Sequence, residues 1–164
     1  MTLQKGKEVK MSYDSAKKQL EKHGLADRIR LFSESSATVE LAAQVLGCAP
    51  GNIAKTLSFL GPEDCPIIVV AAGDARVDNR KFKDVFKMKP TMIPHDKIEP
   101  LTGHPMGGVC PFGLNSSCRV YLDLSLKRFE KIFPACGTAK SAVELNLEEL
   151  ERASEALSWV DVTK

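Results

Sequence analysis

This chain of 164 residues lacks the features by which several large classes of protein are recognised. Its longest apolar run, residues 66–72, has the length of a buried strand and is too short to span a bilayer. The net charge of +2 excludes a strong basic field, so any contact with a nucleic acid should be local. Residues 1–11 are rich in lysine without an apolar segment, which argues against a secretory signal. We expect a flexible extension over residues 1–11 and one domain over residues 12–164.

Motifs for metals and cofactors are missing as well. The five cysteines are odd in number and form no CxxC pair, which argues against a disulfide framework and a zinc ribbon. The three histidines show no HxxxH spacing, and neither GxGxxG nor GxxxxGK[ST] occurs, so we predict no metal ion and no cofactor. Reduced thiols and the missing signal segment favour a cytoplasmic protein with no membrane partner.

The predicted helices and strands follow one another without regular βαβ alternation. This order predicts a single α+β domain with a mixed sheet. Apolar spacing and capping residues predict helices over 12–23, 38–46, 79–86 and 147–154. Apolar and β-branched runs predict strands over 26–32, 53–60, 66–72, 88–93, 119–124 and 142–147, with a hairpin between the second and the third.

Lys55 is unusual because it lies in a predicted strand between Ile53 and Leu57, which share its face. One interpretation is a lysine whose stem covers apolar surface while its ammonium reaches water. The other is a partly enclosed ammonium that binds a phosphate, a carboxylate or a carbonyl oxygen, with a pKa lowered by burial.

The segment 103–113 contains four glycines and two prolines, which together predict a rigid loop. The adjacent amides of Gly107 and Gly108 are able to form an oxyanion hole for a carbonyl. His104 suits either a general base or a packed ring. Cys110 is a nucleophile only if a base lowers its pKa, and a small buried thiol is the commoner role for such a residue.

A basic cluster spans residues 76–89 and contains two arginines and four lysines. It is either a solvated helix face or a local docking surface for a polyanion, in which Phe82 and Phe86 are interleaved with the charges.

Four segments of the chain carry a resemblance to a known family: 52–57, 67–72, 102–113 and 137–147. Their order resembles the YbaK/EbsC family of aminoacyl-tRNA deacylases, which are related to the editing domain of bacterial prolyl-tRNA synthetase. The resemblance implies an α+β fold built on a mixed, barrel-like sheet flanked by helices. It also implies hydrolysis of the ester of a mischarged tRNA, in trans-editing of the Cys-tRNA(Pro) or Ala-tRNA(Pro) type.

The resemblance further implies the residues of the site. Lys55 matches the family's functional lysine, which would hold the terminal adenosine phosphate or the substrate carbonyl, and Gly107 and Gly108 would present amides to the ester. The substrate-binding residues it implies are Thr56, Gly103, His104 and Pro105. Ala142 stands where some members carry an acidic residue, so the amino acid that is edited is left open.

The implied partners are the acceptor end of a mischarged tRNA and a prolyl-tRNA synthetase, and the oligomeric state is left open. Two alternatives also remain at this stage. The first alternative is a non-catalytic module that binds a tRNA or binds a synthetase. The second alternative is a hydrolase that depends on Cys110.

Overall fold

The computed structural model describes residues 2–33 and 38–164, and within these ranges the chain forms five α-helices and seven β-strands. The helices are α1 (Thr2–Lys22), α2 (Val39–Leu46), α3 (Asn79–Phe86), α4 (His95–Thr102) and α5 (Leu147–Ser154). The strands are β1 (Ile29–Leu31), β2 (Ile53–Phe59), β3 (Ile67–Ala72), β4 (Arg119–Asp123), β5 (Phe133–Pro134), β6 (Ser141–Val143) and β7 (Ser158–Val160).

The strands form a five-stranded sheet in the order β5-β2-β3-β4-β7 and a two-stranded sheet of β1 and β6. β2 and β3 are the antiparallel hairpin that the sequence predicts, whereas β5, β4 and β7 join the large sheet in parallel. The predicted α+β class and the mixed sheet are therefore confirmed.

β3 is the centre of the large sheet, and all of its residues are buried. On one face of the sheet, α1 and α5 pack their apolar side chains against Ile68 and Val70. On the other face, Phe82 of α3 packs against Val69 and Phe59. α2 covers the end of β2 at the sheet edge, where Ala42 and Ala43 contact the cluster around Ile53, Phe133 and Ala142.

Side-chain caps explain why several helices begin where the sequence predicts. The Asp78 side chain accepts a hydrogen bond from the Lys81 amide at 3.0 Å, and the Thr38 hydroxyl accepts one from the Leu41 amide at 3.1 Å. Each bond satisfies an amide that has no partner inside its own helix. α3 consequently occupies the range predicted for it.

Other elements differ from the prediction. α1 begins ten residues before the predicted start at Ser12, and the flexibility of residues 1–11 stays a prediction. Residues 88–93 do not form a regular strand; an isolated bridge joins Met92 to Phe59 instead. Within the described residues, no helix is both long enough and apolar enough to cross a membrane.

Candidate functional site

A cavity of about 260 Å³ lies along the free edge of β2. β2 pairs with β5 through Ile53 and Ala54, and with Met92 through Phe59. Between these two contacts, side chains from both faces of β2 reach the cavity. The apolar part of its wall comes from α2, β5, β6 and their neighbours and includes Val39, Ala42, Leu46, Phe133, Ala135 and Ala142.

Lys55 brings a positive charge to this wall. Its ammonium donates hydrogen bonds to the carbonyl oxygens of Gly73, at 3.4 Å, and of Ala75, both in the turn that follows β3. An ammonium has three donors, so two carbonyl partners do not exhaust it. The side chain is partly buried, as the enclosed interpretation of Lys55 requires.

Burial and the neighbouring charges shift the pKa of Lys55 in different directions. Burial lowers its pKa most, and the nearby Arg76 lowers that pKa further, whereas Asp74 and Glu40 raise it. Asp74 does not bond directly to Lys55 because its carboxylate accepts hydrogen bonds from Arg128, at 3.1 Å and 2.5 Å to its two oxygens. Lys55 is thus bonded to neutral carbonyls, and Asp74 and Glu40 offset its charge only from a distance.

Gly73 explains how the turn reaches Lys55. A Cβ atom at this position would lie 2.1 Å from the Pro50 carbonyl oxygen and 2.6 Å from a methyl carbon of Val39. Glycine is therefore required for the turn to pack this closely against its neighbours. This requirement is invisible in the sequence, because Pro50 and Val39 are distant from Gly73 along the chain.

Thr56 is the second polar residue of β2 at the cavity. Its hydroxyl is buried and has no hydrogen-bond partner among the residues that the structure describes. A buried hydroxyl without a partner is costly, and such groups are uncommon in folded proteins. The Thr56 hydroxyl therefore has an unused hydrogen-bonding capacity beside the cavity.

The glycine-rich loop contributes a tight turn over residues 105–108. The Gly108 amide donates a hydrogen bond to the Pro105 carbonyl at 3.0 Å, and Gly107 has φ +87°, as the third residue of a type II turn requires. Gly107 lines the cavity. The Gly108 amide is committed to the turn, so the expected pair of amides pointing at the substrate reduces to a single candidate, Gly107.

The other predicted loop residues lie away from the cavity wall. Gly103 ends α4 in the left-handed conformation, with its amide bonded to the Glu99 carbonyl at 2.8 Å. Pro105 begins the turn just described. His104 is fully buried, with one ring nitrogen bonded to the Ser12 hydroxyl and the other to the Phe112 carbonyl at 2.6 Å. Gly103, His104 and Pro105 are thus not among the residues that line the cavity.

Cys110 is also completely buried. Its thiol donates a hydrogen bond to the Phe112 carbonyl at 3.2 Å, and burial raises its pKa well above the ordinary value. A nucleophilic cysteine needs access to the substrate and a lowered pKa. The geometry therefore argues against the hypothesis of a hydrolase that depends on Cys110.

No group of three or more His, Cys, Asp or Glu side chains among residues 2–33 and 38–164 is placed to hold a metal ion. The cavity wall itself combines one ammonium, three hydroxyl side chains besides that of Thr56, and apolar groups; those hydroxyls belong to Thr38, Ser58 and Ser141. This combination can bind a polar ester next to a small apolar group.

Comparison with known proteins identifies the family. Residues 33–153 match the family described as "Aminoacyl-tRNA editing domain". "Uncharacterized protein YwhH" of Bacillus subtilis (strain 168) is 50% identical over 133 residues, which cover 81% of this chain and 85% of that protein. "Putative Cys-tRNA(Pro)/Cys-tRNA(Cys) deacylase EbsC" of Enterococcus faecalis (strain ATCC 700802 / V583) is 28% identical over 120 residues, which cover 73% of each protein.

A solved structure of a related protein has the same fold. "Crystal structure of a putative trans-editing enzyme for prolyl tRNA synthetase" superposes with a TM-score of 0.83 and 27% sequence identity, covering 93% of this chain and 97% of that chain. The predicted family is confirmed, and with it the prediction of an aminoacyl-tRNA deacylase. The chain belongs to the aminoacyl-tRNA editing domain family.

Proposed function

We propose that this chain hydrolyses the ester of a tRNA mischarged with a small amino acid, and that the reaction takes place in the cavity at the edge of β2. The observation that carries the proposal is the position of Lys55. Among the described residues that line the cavity, Lys55 carries the single charge, and it shares that wall with Thr56 and Gly107.

In the proposed reaction, water attacks the ester carbonyl carbon, and the carbonyl oxygen becomes negatively charged. The Lys55 ammonium donates to this oxygen, and the Gly107 amide is a second candidate donor. Collapse of the intermediate breaks the bond to the ribose oxygen, which takes up the proton that the attacking water loses, and the amino acid leaves as the free acid. One well-placed donor of this kind contributes about 3 kcal/mol of transition-state stabilisation.

The cavity wall offers no carboxylate or imidazole as a general base among its described residues. An aminoacyl ester is activated compared with an amide, so positioning and stabilisation of the oxyanion account for most of the required catalysis. The substrate's own side-chain thiol or the terminal hydroxyl of the tRNA can assist in place of a protein nucleophile.

The apolar walls support a small amino acid as the group that is removed. Ala42, Ala135 and Ala142 line the space, whose volume is about 260 Å³. Cysteine and alanine both fit this description, in keeping with the expected Cys-tRNA(Pro) or Ala-tRNA(Pro) type of substrate. Selection by size alone is limited, because one methylene group changes discrimination by about 10–200-fold.

Contact with the tRNA itself is proposed at the basic surface beside the cavity. Arg76 lies close enough to Lys55 to lower its pKa, and α3 begins three residues later with the exposed side chains of Arg80, Lys83 and Lys87. Lys81 is excluded from this surface because it bonds to Asp161 at 3.1 Å. A few phosphate contacts suit an acceptor end held locally, and a prolyl-tRNA synthetase remains the proposed partner for the rest of the tRNA.

The proposal is tested by deacylation of Cys-, Ala-, Ser- and Pro-charged tRNA by the wild type, Lys55→Ala and Lys18→Ala. Lys18 is exposed on α1 and serves as a matched control for the loss of one lysine. We expect at least one substrate to be hydrolysed, with a loss of about 10²–10³-fold in kcat for Lys55→Ala and no loss for Lys18→Ala. Full activity of a folded Lys55→Ala variant contradicts the proposed site. Binding of every mischarged tRNA without turnover by the wild type contradicts the proposed function and favours a binding module.

A further inference from the structure

His104 is a buried polar residue that the proposed reaction does not use. We propose that His104 is a positioning residue, which fixes the turn of residues 105–108 at the cavity by tying it to α1 and to the loop that precedes β6. The effect on catalysis rests on the proposed function, whereas the effect on the turn does not.

The contacts of His104 join three separate parts of the chain. Its Nδ1 atom bonds to the hydroxyl of Ser12 on α1, and its Nε2 atom bonds to the Phe112 carbonyl at 2.6 Å. The Ser12 hydroxyl also lies 2.7 Å from the Gly137 carbonyl, to which it can donate its one proton. His104 and Ser12 are 0% and 1% exposed, so water does not replace either group if the network is broken.

The hydrogen-bond partners determine the protonation of the ring. A carbonyl oxygen only accepts, so Nε2 carries a proton for Phe112. Burial lowers the pKa of His104, which favours a neutral ring with an unprotonated Nδ1. The single Ser12 proton then lies between two acceptors, Nδ1 and the Gly137 carbonyl. The network therefore needs a side chain that both donates and accepts at position 104.

Close backbone packing transmits the position of this network to the cavity. A Cβ atom on Gly137 would lie 2.5 Å from the Ser12 carbonyl oxygen, and one on Gly108 would lie 2.6 Å from the Gly137 carbonyl oxygen. The three backbones are thus in direct contact, in the order Ser12, Gly137, Gly108. Gly107, which lines the cavity, directly precedes Gly108 in the chain. A shift of the Ser12 contact has no free space to absorb it before it reaches the turn.

His104→Phe keeps a ring of similar size and removes both polar contacts, whereas His104→Gln keeps a donor and an acceptor. The matched controls are His95→Phe and His95→Gln, because His95 is exposed at the start of α4. The measurements are kcat and KM on the preferred mischarged tRNA, hydrogen exchange of the Gly107 and Gly108 amides by NMR, and the free energy of unfolding.

For His104→Phe we expect faster exchange of both amides relative to the rest of the protein and a loss of about 10²-fold in kcat, with KM changed less than threefold, since a small misplacement of a catalytic group has effects of this size. His104→Gln should retain kcat within about tenfold of the wild type, and the His95 variants should match the wild type. Unchanged amide exchange and kcat in a folded His104→Phe variant overturn the proposal. So does a greater loss in His104→Gln than in His104→Phe, since that would indicate that the volume of the ring matters and its polar contacts do not.

A second variant keeps the proposal open to refutation if His104→Phe does not fold. Ser12→Ala removes the hydroxyl that links His104 to Gly137 and leaves the ring in place. We expect the same faster exchange of the Gly108 amide, by at least tenfold, and unchanged exchange overturns the proposal. Amide exchange is measured without substrate, so an inactive wild type contradicts the proposed function while the exchange data still decide the role of His104.

Discussion

The ammonium of Lys55, on β2, donates a hydrogen bond to the carbonyl of Gly73, 3.4 Å away at the end of β3. A carboxylate in that position would neutralise the charge, but a carbonyl orients the ammonium and leaves its charge available. Asp74, the next residue, is held by Arg128 through two hydrogen bonds. Lys55 thus lines the cavity with its ammonium bonded to carbonyls, and it forms no ion pair with a carboxylate among the described residues.

The rate of deacylation should depend on the charge of Lys55. Burial is the largest influence and lowers the pKa of this lysine below the ordinary value. If the protonated form is required, kcat/KM is constant at low pH and falls as the pH rises through the lowered pKa, at a lower pH than for an exposed lysine. The measurement is a pH profile of kcat/KM, with spontaneous hydrolysis of the ester subtracted at each pH. A rate that rises with pH in this range contradicts the assigned role.

Substitutions at Asp74 and Arg128 should shift the alkaline limb of this profile, the pH range in which kcat/KM falls, in opposite directions. Asp74 raises the pKa of Lys55, so Asp74→Asn should move the limb to lower pH. Arg128→Met removes the partner of Asp74, whose charge then acts more fully on Lys55 and moves the limb to higher pH. Arg28→Met is the matched control, because Arg28 pairs with Glu149 instead. Shifts in the same direction for Asp74→Asn and Arg128→Met would contradict the electrostatic account.

Thr56→Val should raise the stability of the protein and lower its activity. The Thr56 hydroxyl is buried without a partner among the described residues, so its removal should stabilise the free protein by about 1 kcal/mol. If the hydroxyl bonds to the substrate, the same change lowers kcat/KM by about fivefold, since a hydrogen bond of this kind contributes about 1 kcal/mol. Urea denaturation and deacylation kinetics measure the two effects.

The control for this substitution is Thr163→Val. The Thr163 hydroxyl donates to Asp123 at 2.7 Å, so its removal should destabilise the protein. A loss of stability in Thr56→Val comparable with that in Thr163→Val would show that the Thr56 hydroxyl already has a partner.

Local patterns in the sequence predicted the elements that depend on neighbouring residues. α3 was predictable because Asp78 caps it and because Phe82 and Phe86 lie on one face, four residues apart. The strand predicted over residues 88–93 was wrong: the apolar pattern was present, but its contact with the sheet is a single bridge from Met92 to Phe59. The two residues of β5 are too short to give a pattern at all.

In the candidate site, too, the features that depend on neighbouring residues were predictable and those that depend on distant contacts were not. Lys55 was identified because a lysine between apolar residues on a strand is unusual, and Gly107 because glycine and proline predict a shaped loop. The partners of Lys55 were not predictable, because the turn at Gly73 meets the lysine through the pairing of β2 with β3. His104 has the residue type of a substrate contact, and its complete burial results from packing against α1, which no local pattern reveals.

The stability of the large sheet should depend on Asp123, at the end of β4. This carboxylate is completely buried and accepts hydrogen bonds from the amides of Ser125 and Val162, each at 2.9 Å, and from the hydroxyl of Thr163. Asp123→Ala leaves the buried Val162 amide without its acceptor and should lower the free energy of unfolding by about 3 kcal/mol. Urea denaturation measures the change, with Asp161→Ala as the control at an exposed aspartate. Equal small effects of the two substitutions would contradict the anchoring role of Asp123.

The size of the cavity should decide which amino acids are removed. Ala135 lines the cavity and is only partly buried, so a larger side chain can enter the space without disrupting the core. Ala135→Val should reduce hydrolysis of Cys- and Pro-charged tRNA more than that of Ala-charged tRNA, changing the ratio of kcat/KM values by about 10-fold or more. Ala156→Val, at a partly buried position in the connection between α5 and β7, is the matched control and should leave the ratios unchanged. A uniform loss across the panel would mean that Ala135 affects folding or the position of Lys55 rather than the fit of the amino acid. A change of the ratio in favour of the larger side chains would place the amino acid outside this cavity.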